Sequence, residues 1–218
     1  MAGTGMLVVF EGIEGSGKTT QANLLYESIS RLTERCVLTV EPRPESPITR
    51  LIREELKKDP SKEGEAFDMR ALQLLFAADR SVHVEKLIRP SLEAGEIVVV
   101  DRYFLTSVAY SSAFGNEELA DYFMSVNSVF PKPDLLFYLR VAPEVALRRV
   151  ALREKKDRYD NLESLRKQYD AYQSLAQRHR SEAGSRWCEI DGDRDQQSVA
   201  ADVLAAWKER SATNLGRN

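Results

Sequence analysis

The chain has 218 residues, of which 43% are hydrophobic and 30% charged, enough for one domain with a full hydrophobic core. Its formal net charge is −3, so it has no general positive field of the kind that holds nucleic acid. The N-terminus lacks the segments of a signal peptide, and no apolar run is long enough to span a membrane. Cys36 and Cys188 are too few for a disulfide framework and are expected to be reduced thiols. These features predict a cytoplasmic protein that binds neither nucleic acid nor membrane.

Predicted strands and helices alternate along the chain. Short apolar runs predict buried strands at residues 6–11, 36–40, 97–100, 134–141 and 187–190. Apolar residues at helical spacing predict helices over residues 18–32, 48–56, 68–94, 104–113, 117–129, 143–153, 162–182 and 199–207. Asp68 is the expected N-cap of the longest helix, Gly95 its end, and the polar tail from Ser211 is expected to fray. The alternation predicts a parallel sheet with helices on both faces.

Residues 12–19 read Gly-Ile-Glu-Gly-Ser-Gly-Lys-Thr and match the phosphate-binding pattern G-x-x-x-x-G-K-[ST] at every fixed position. A predicted strand precedes the motif and a predicted helix follows it, which is the context that phosphate binding requires. Glycines allow successive N–H groups to point at phosphate oxygens, and the helix directs its positive end at the same anion. We therefore expect Lys18 to reach the β- and γ-phosphates and the Thr19 hydroxyl to bind Mg²⁺.

The motif predicts a fold of the P-loop NTPase type: α/β, three-layer α/β/α, with a five-stranded parallel sheet. The predicted ATP-binding residues of the loop are Gly12, Ile13, Glu14, Gly15, Ser16, Gly17, Lys18, Thr19 and Thr20. Motors, switches and kinases all use this loop, so the loop alone does not identify the reaction.

Two further pairs of residues are candidates for the rest of a site. Asp101 and Arg102 follow strand 97–100, at the sheet edge where parallel α/β proteins bind ligands. The carboxylate could hold Mg²⁺ through water and the guanidinium could bind a phosphate, although a structural ion pair would also explain them. Phe76 and Arg80 share one helix face and could stack on a base and bind its edge. A core phenylalanine beside a surface arginine is the common alternative.

Two basic segments could bring cations to the phosphates. Residues 148–158 contain six basic and two acidic side chains, which suits either a solvated helix end or a mobile lid. In a lid, Arg153 and Arg158 are the expected catalytic cations and Arg149 would bind ATP. Arg43, after Glu41-Pro42, could place another cation at the acceptor phosphate.

Taken together, these segments resemble the thymidylate kinase family over roughly residues 6–207. The motifs that carry the resemblance occur in the family's order. They are Phe10–Gln21, Leu75–Arg80, Asp101–Tyr103 with Ser107–Tyr110, Pro133–Leu135, and Asp157–Asp160. The chain departs from many members by having Val40-Glu41-Pro42-Arg43-Pro44 for Arg-Glu-Pro-Gly-Gly, and Tyr110-Ser111-Ser112 for Tyr-Gln-Gly.

The resemblance implies an ATP- and Mg²⁺-dependent kinase that phosphorylates dTMP, as a homodimer. It implies that Phe76 stacks on thymine, Arg80 binds the O4 edge, and Arg102 binds the acceptor phosphate. Tyr110 would crowd the sugar 2′ position. The implied acceptor site comprises Glu14, Arg43, Phe76, Arg80, Asp101, Arg102, Ser107 and Tyr110, with Thr19 and Asp101 at the metal.

We therefore expect one kinase domain over residues 1–218, with a lid at about 148–160 and flexible ends at 1–5 and 211–218. The acceptor phosphate has a second pKa of ~6 and is a nucleophile without a general base, so His83 and His179 are expected to be ordinary surface or helix residues. Two alternatives stay open at this point. One is a kinase for another nucleotide or small metabolite, and the other is a switch that hydrolyses ATP to control a partner.

Overall fold

The computed structural model describes residues 5–33, 35–58, 66–152, 159–182 and 186–215. Within them, five parallel strands form one sheet in the order β2-β3-β1-β4-β5. The strands are β1 (Met6–Glu11), β2 (Cys36–Val40), β3 (Ile97–Asp101), β4 (Leu135–Arg140) and β5 (Trp187–Asp191). The predicted parallel α/β fold is confirmed.

Helices cover both faces of the sheet. In the described part of the chain they are α1 (Lys18–Ser30), α2 (Pro47–Leu56), α3 (Met69–His83), α4 (Arg89–Glu93), α5 (Phe104–Phe114), α6 (Glu117–Val126), α7 (Pro143–Ala151), α8 (Leu162–Glu182) and α9 (Gln196–Leu215). A short 3₁₀ turn follows α6, where the sequence predicts a longer helix.

The sheet divides the hydrophobic core into two parts, one on each of its faces, because successive side chains of a strand point in opposite directions. Val8 and Phe10 of β1 pack with the apolar residues of α1 and α9. Leu7 and Val9 pack on the other face, against the segment after α3. Both sets are fully buried, which explains why this strand reads as a continuous apolar run.

The long helix predicted over residues 68–94 consists of α3, a π-helical turn at Val84–Ile88, and α4. The Asp68 carboxylate accepts a hydrogen bond from the Ala71 N–H at 2.7 Å, which confirms the predicted N-cap. Pro90 lacks an N–H and crowds the preceding turn, so the wider π turn keeps the helix continuous before it. Gly95 ends the helix with φ of +77°.

The last helix is longer than the sequence predicts. It begins at Gln196 rather than residue 199, because the Asp195 carboxylate caps it through the N–H groups of Gln197 and Ser198. It continues to Leu215, whereas the polar composition from Ser211 predicts fraying; no glycine or proline interrupts the sequence before Gly216. None of the described helices is both long and apolar enough to cross a membrane.

The register of the sheet brings the candidate residues to one edge. Phe10 of β1 and Val40 of β2 both pair with Asp101 of β3. The residues that follow these strands therefore emerge side by side at the carboxyl ends of the strands, where ligands bind in this architecture.

Candidate active site

The phosphate loop lies between β1 and α1 and packs beneath α7. Gly15 has φ of +74°, and a Cβ at this position would lie 2.5 Å from the Ala146 carbonyl oxygen. Gly17 has φ of +95° at the start of α1. Gly15 must be glycine because a larger side chain would clash. Both positions also favour glycine because the loop turns there through a left-handed backbone conformation.

Lys18 is buried with its ammonium group above the loop. Its Nζ donates to the carbonyl oxygens of Gly12 and Ile13 at 2.9 and 2.7 Å, and to Ser16 Oγ at 3.3 Å. Burial, followed by the positive charge of Arg102, lowers the pKa of Lys18 to about 8. The group is therefore a cation held where anionic phosphates would stabilise its charge.

Thr19 and Asp101 place two oxygen ligands together. The Thr19 hydroxyl donates to Asp101 Oδ2 at 2.5 Å. The other carboxylate oxygen, Oδ1, is buried and has no hydrogen-bond partner among the described residues. An unpartnered carboxylate oxygen beside a hydroxyl fits Mg²⁺, which prefers oxygen ligands and takes few from the protein when phosphates supply others.

Arg102 is held in a left-handed backbone conformation, with φ of +68°. Its N–H donates to the Phe10 carbonyl at 3.0 Å, and its guanidinium forms an ion pair with Glu14 of the phosphate loop. Burial opposes its charge, but Glu14, Tyr110 and Asp101 outweigh burial and raise the pKa of Arg102 above its usual value. A backbone conformation this unfavourable for a non-glycine residue persists only where surrounding contacts fix it.

Glu11 supplies such contacts and was not identified from the sequence. This fully buried carboxylate accepts hydrogen bonds from the N–H groups of Tyr103 and Thr106, at 3.0 and 3.3 Å. It also accepts from the Thr106 hydroxyl at 2.7 Å and the Tyr172 hydroxyl at 2.8 Å. Burial raises the pKa of Glu11, against the opposing effect of these hydrogen bonds and of nearby cations. Glu11, at the end of β1, thus caps the N-terminus of α5 from a distant part of the chain.

A cavity of about 330 Å³ opens beside Glu14; we call it the acceptor cavity. Six of the eight predicted acceptor residues line it: Glu14, Phe76, Arg80, Arg102, Ser107 and Tyr110. Tyr159 closes one side, with its ring centroid 5.3 Å from that of Tyr110 and 4.5 Å from that of Phe114. The cavity therefore combines aromatic rings with arginines, as a nucleotide site requires.

Arg80 is buried rather than on the surface, with 2% of its area exposed. Its Nε donates to Glu41 Oε2 at 2.7 Å, and its Nη atoms bind Asn127, the Tyr103 carbonyl and Ser107. Glu41 also binds His83, which has no exposed area. His83 is a helix residue, as one of the two predicted alternatives has it, but it is not on the surface. Helix spacing alone does not reveal its contact with Thr39 of β2. The side chain of His179 lies outside the described residues.

The structure changes the choice of the arginine that could bind the acceptor phosphate. The side chain of Arg43 pairs with Glu45 at 3.3 Å, and its N–H donates to Asp79; Arg43 does not line the acceptor cavity. Arg53 of α2 does line it, and sequence reasoning missed it. Its position after the buried Ile52, on the rim of the same cavity, makes it the better candidate for an acceptor phosphate. Asp101 likewise lies at Thr19 rather than in this cavity.

A second hollow of about 310 Å³ lies on the other side of the phosphate loop; we call it the donor hollow. The predicted ATP residues Ser16, Gly17, Thr20 and Arg149 line it, together with the β5–α9 loop. Arg149 Nη2 donates to the Gly192 carbonyl at 2.9 Å, which joins α7 to that loop. The predicted lid arginines, Arg153 and Arg158, lie outside the described residues.

Comparisons with known proteins show the family to which this chain is similar. A family model described as thymidylate kinase matches residues 10–203. A probable thymidylate kinase of Pyrococcus horikoshii is 40% identical over 174 residues, which cover 79% of this chain and 83% of the relative. The thymidylate kinase of Sulfurihydrogenibium sp. is 35% identical over 211 residues, which cover 95% and 98%. The solved thymidylate kinase of Candida albicans shares the fold, with a TM-score of 0.78 at 23% identity over 97% of this chain and 93% of that one.

Proposed function

Because the chain belongs to the thymidylate kinase family, we propose that the two hollows beside its phosphate loop hold the two substrates of that reaction. The reaction phosphorylates dTMP to dTDP with ATP as the phosphoryl donor. The observation that carries the proposal is the position of the phosphate loop, with Glu14 on the acceptor cavity and Ser16 and Gly17 on the donor hollow. This kinase assignment replaces the alternative of an ATP-driven switch.

The acceptor cavity would bind dTMP by its base, sugar and phosphate in turn. Phe76 would stack on the thymine and Arg80 would donate to its O4 atom. Tyr110, braced by Tyr159, would lie against the sugar and disfavour a 2′-hydroxyl. Arg102 and Arg53 would bind the acceptor phosphate, since a planar guanidinium can bridge two of its oxygens.

ATP would bind along the phosphate loop, with its base in the donor hollow beside Arg149. Backbone N–H groups from Gly12 to Thr20 would hold the phosphates, and Lys18 would reach the β- and γ-phosphates. Thr19 and Asp101 would hold Mg²⁺, which would offset charge on the phosphates. The buried, unpartnered Oδ1 atom of Asp101 supports this metal assignment.

Transfer needs no general base in this arrangement, because the dTMP phosphate is already a nucleophile at neutral pH. The residues must instead align the two phosphate chains and offset the charge that develops between them. Lys18 is buried and Arg102 is partly buried in this region, and we propose that Arg153 and Arg158 of the lid add further positive charge.

We further propose a homodimer that forms through α2, α3 and α6. Leu51, Leu74 and Tyr122 lie on these packed helices with 38%, 42% and 46% of their area exposed. Leu74→Glu with Tyr122→Glu should convert a dimer to a monomer in light scattering, whereas Leu32→Glu, on α1's side of the sheet, should not. A mass equal to one chain for the unaltered protein would contradict the proposal.

The cytoplasmic location remains a prediction from the sequence.

A coupled assay that measures ADP release tests the function directly. With ATP and Mg²⁺, dTMP should be the best acceptor among dTMP, dUMP, dCMP, dAMP and dGMP. Omission of Mg²⁺ should abolish the rate. A higher kcat/KM for any purine monophosphate would contradict the assignment of the acceptor cavity.

A further inference from the structure

A buried chain of hydrogen bonds runs from β2 to the base end of the acceptor cavity; we call it the Thr39–Arg80 relay. Thr39 Oγ1 lies 2.8 Å from His83 Nε2, and His83 Nδ1 lies 3.1 Å from Glu41 Oε1. The other oxygen of Glu41 accepts from Arg80 Nε at 2.7 Å. Glu41, His83 and Arg80 are all at least 96% buried, so water does not compete for these bonds.

The chemistry of the groups fixes the direction of the relay. A carboxylate only accepts hydrogen bonds, so the proton toward Glu41 must lie on His83 Nδ1. With the proton there, Nε2 can accept from the Thr39 hydroxyl. Each member therefore orients the next, and the last is the guanidinium of Arg80.

The orientation of Arg80 matters because few of its N–H donors are left for a ligand. A guanidinium has five N–H groups. Among the described residues, Nε donates to Glu41, Nη1 to Asn127, and Nη2 to both Tyr103 O and Ser107 Oγ. These four bonds leave one N–H, on Nη1, for a ligand in the cavity that Arg80 lines.

We propose that His83 is a specificity-determining positioning residue, which acts through Glu41 to aim this one N–H at a carbonyl on the acceptor base. The proposal rests on the proposed placement of dTMP in the acceptor cavity. A single fixed donor favours a pyrimidine with a carbonyl at C4 and disfavours cytosine, whose C4 amino group would meet it donor to donor. If the guanidinium were free to turn, it would lose much of this discrimination.

Two amide variants of His83 separate positioning from packing. In His83→Asn the amide nitrogen can take the place of Nδ1 and keep the bond to Glu41. In His83→Gln the amide reaches the place of Nε2, so it keeps Thr39 and loses Glu41. The measured quantity is the ratio of kcat/KM for dTMP to that for dCMP at saturating ATP, with dUMP as a control that keeps the C4 carbonyl.

His83→Gln should lower the dTMP-to-dCMP ratio by about tenfold or more, the effect of one lost hydrogen bond to a charged group. The loss should appear as a higher KM for dTMP, with kcat and the KM for ATP within a few fold. His83→Asn should keep most of the wild-type dTMP-to-dCMP ratio. Thr39→Val should lower the wild-type ratio about two- to threefold.

Equal ratios in the Asn and Gln variants would overturn the proposal, because a packing role does not distinguish the two amides. If the Gln variant does not fold, an unchanged ratio in Thr39→Val would overturn it instead. A wild-type protein that does not phosphorylate dTMP would contradict the function itself, which is a separate result.

Discussion

The acceptor cavity and the donor hollow flank the same loop but are built differently. At the base end of the acceptor cavity, Arg80 is 2% exposed and each of its nitrogen atoms is bonded to a named partner. In the donor hollow, Arg194 and Asp195 are exposed, and Arg149 binds backbone carbonyl groups. Rigid side-chain networks favour strict selection of a ligand, whereas backbone and solvated contacts tolerate variation. We therefore expect the enzyme to discriminate among acceptor bases more strongly than among donor bases.

The largest effect is expected from the arginines of the proposed lid. Arg153→Ala or Arg158→Ala should lower kcat by ~10³-fold, because an arginine delivered to the transferring phosphoryl group offsets charge present only in the transition state. The dissociation constant for dTMP should change by no more than a few fold.

Lys155→Ala and Lys156→Ala are the matched controls for the lid, since an ammonium does not bridge two phosphate oxygens as a guanidinium does. Both should keep a nearly normal kcat in steady-state assays. Near-normal kcat in both arginine variants would mean that the basic segment is a solvated surface.

The acceptor cavity itself can be tested with Phe76→Ala. Loss of aromatic stacking, worth ~1–3 kcal/mol per base, should weaken dTMP binding about ten- to a hundredfold by calorimetry. ATP binding to the same folded variant should be unchanged, which serves as the internal control. Equal dTMP affinity in wild type and variant would remove Phe76 from the base site.

On the donor side, ATP affinity should depend on pH through Lys18. Its pKa of about 8 means that the ligand-free protein loses this charge between pH 7 and 9. Bound phosphates favour the charged form, so binding takes up a proton, and affinity should be about tenfold weaker at pH 9 than at pH 7. Lys18→Met should bind weakly with a flat profile over this range. A flat profile for the wild type would show that Lys18 does not bind the phosphates.

The smallest effect is expected in the donor hollow, at Arg149. Arg149→Ala should raise the KM for ATP about three- to fivefold and leave the KM for dTMP unchanged, because its half-exposed contacts are partly screened by water. Arg148→Ala is the control, since this exposed neighbour does not line the donor hollow. A rise of more than a hundredfold in the KM for ATP would show that the donor hollow depends on its side chains as strongly as the acceptor cavity does.

The sequence predicts the parts of the site that depend on local spacing. The phosphate loop is contiguous, so its glycines and Lys18 are recognisable without any tertiary contact. Phe76 and Arg80 are one helical turn apart, and their shared place on the acceptor cavity follows from that spacing.

The residues that the sequence did not reveal act through distant contacts. Glu41 and Arg80 are 39 positions apart, and Glu11 and Tyr103 are 92 apart, so no local pattern connects them. Arg53 occupies an exposed position of an amphipathic helix, where an arginine is ordinary. Only the packing of α2 against α3 places it at the acceptor cavity.

The cap that Glu11 forms on α5 has a mechanical consequence. Glu11 is the last residue of the strand that leads into the phosphate loop, whereas Tyr103 and Thr106 begin the helix that carries Ser107 and Tyr110. Three hydrogen bonds join these two segments across a fully buried carboxylate. A displacement of the loop therefore carries the acceptor helix with it. Thermal motion would move donor and acceptor together, so the line along which the phosphoryl group travels would keep its direction.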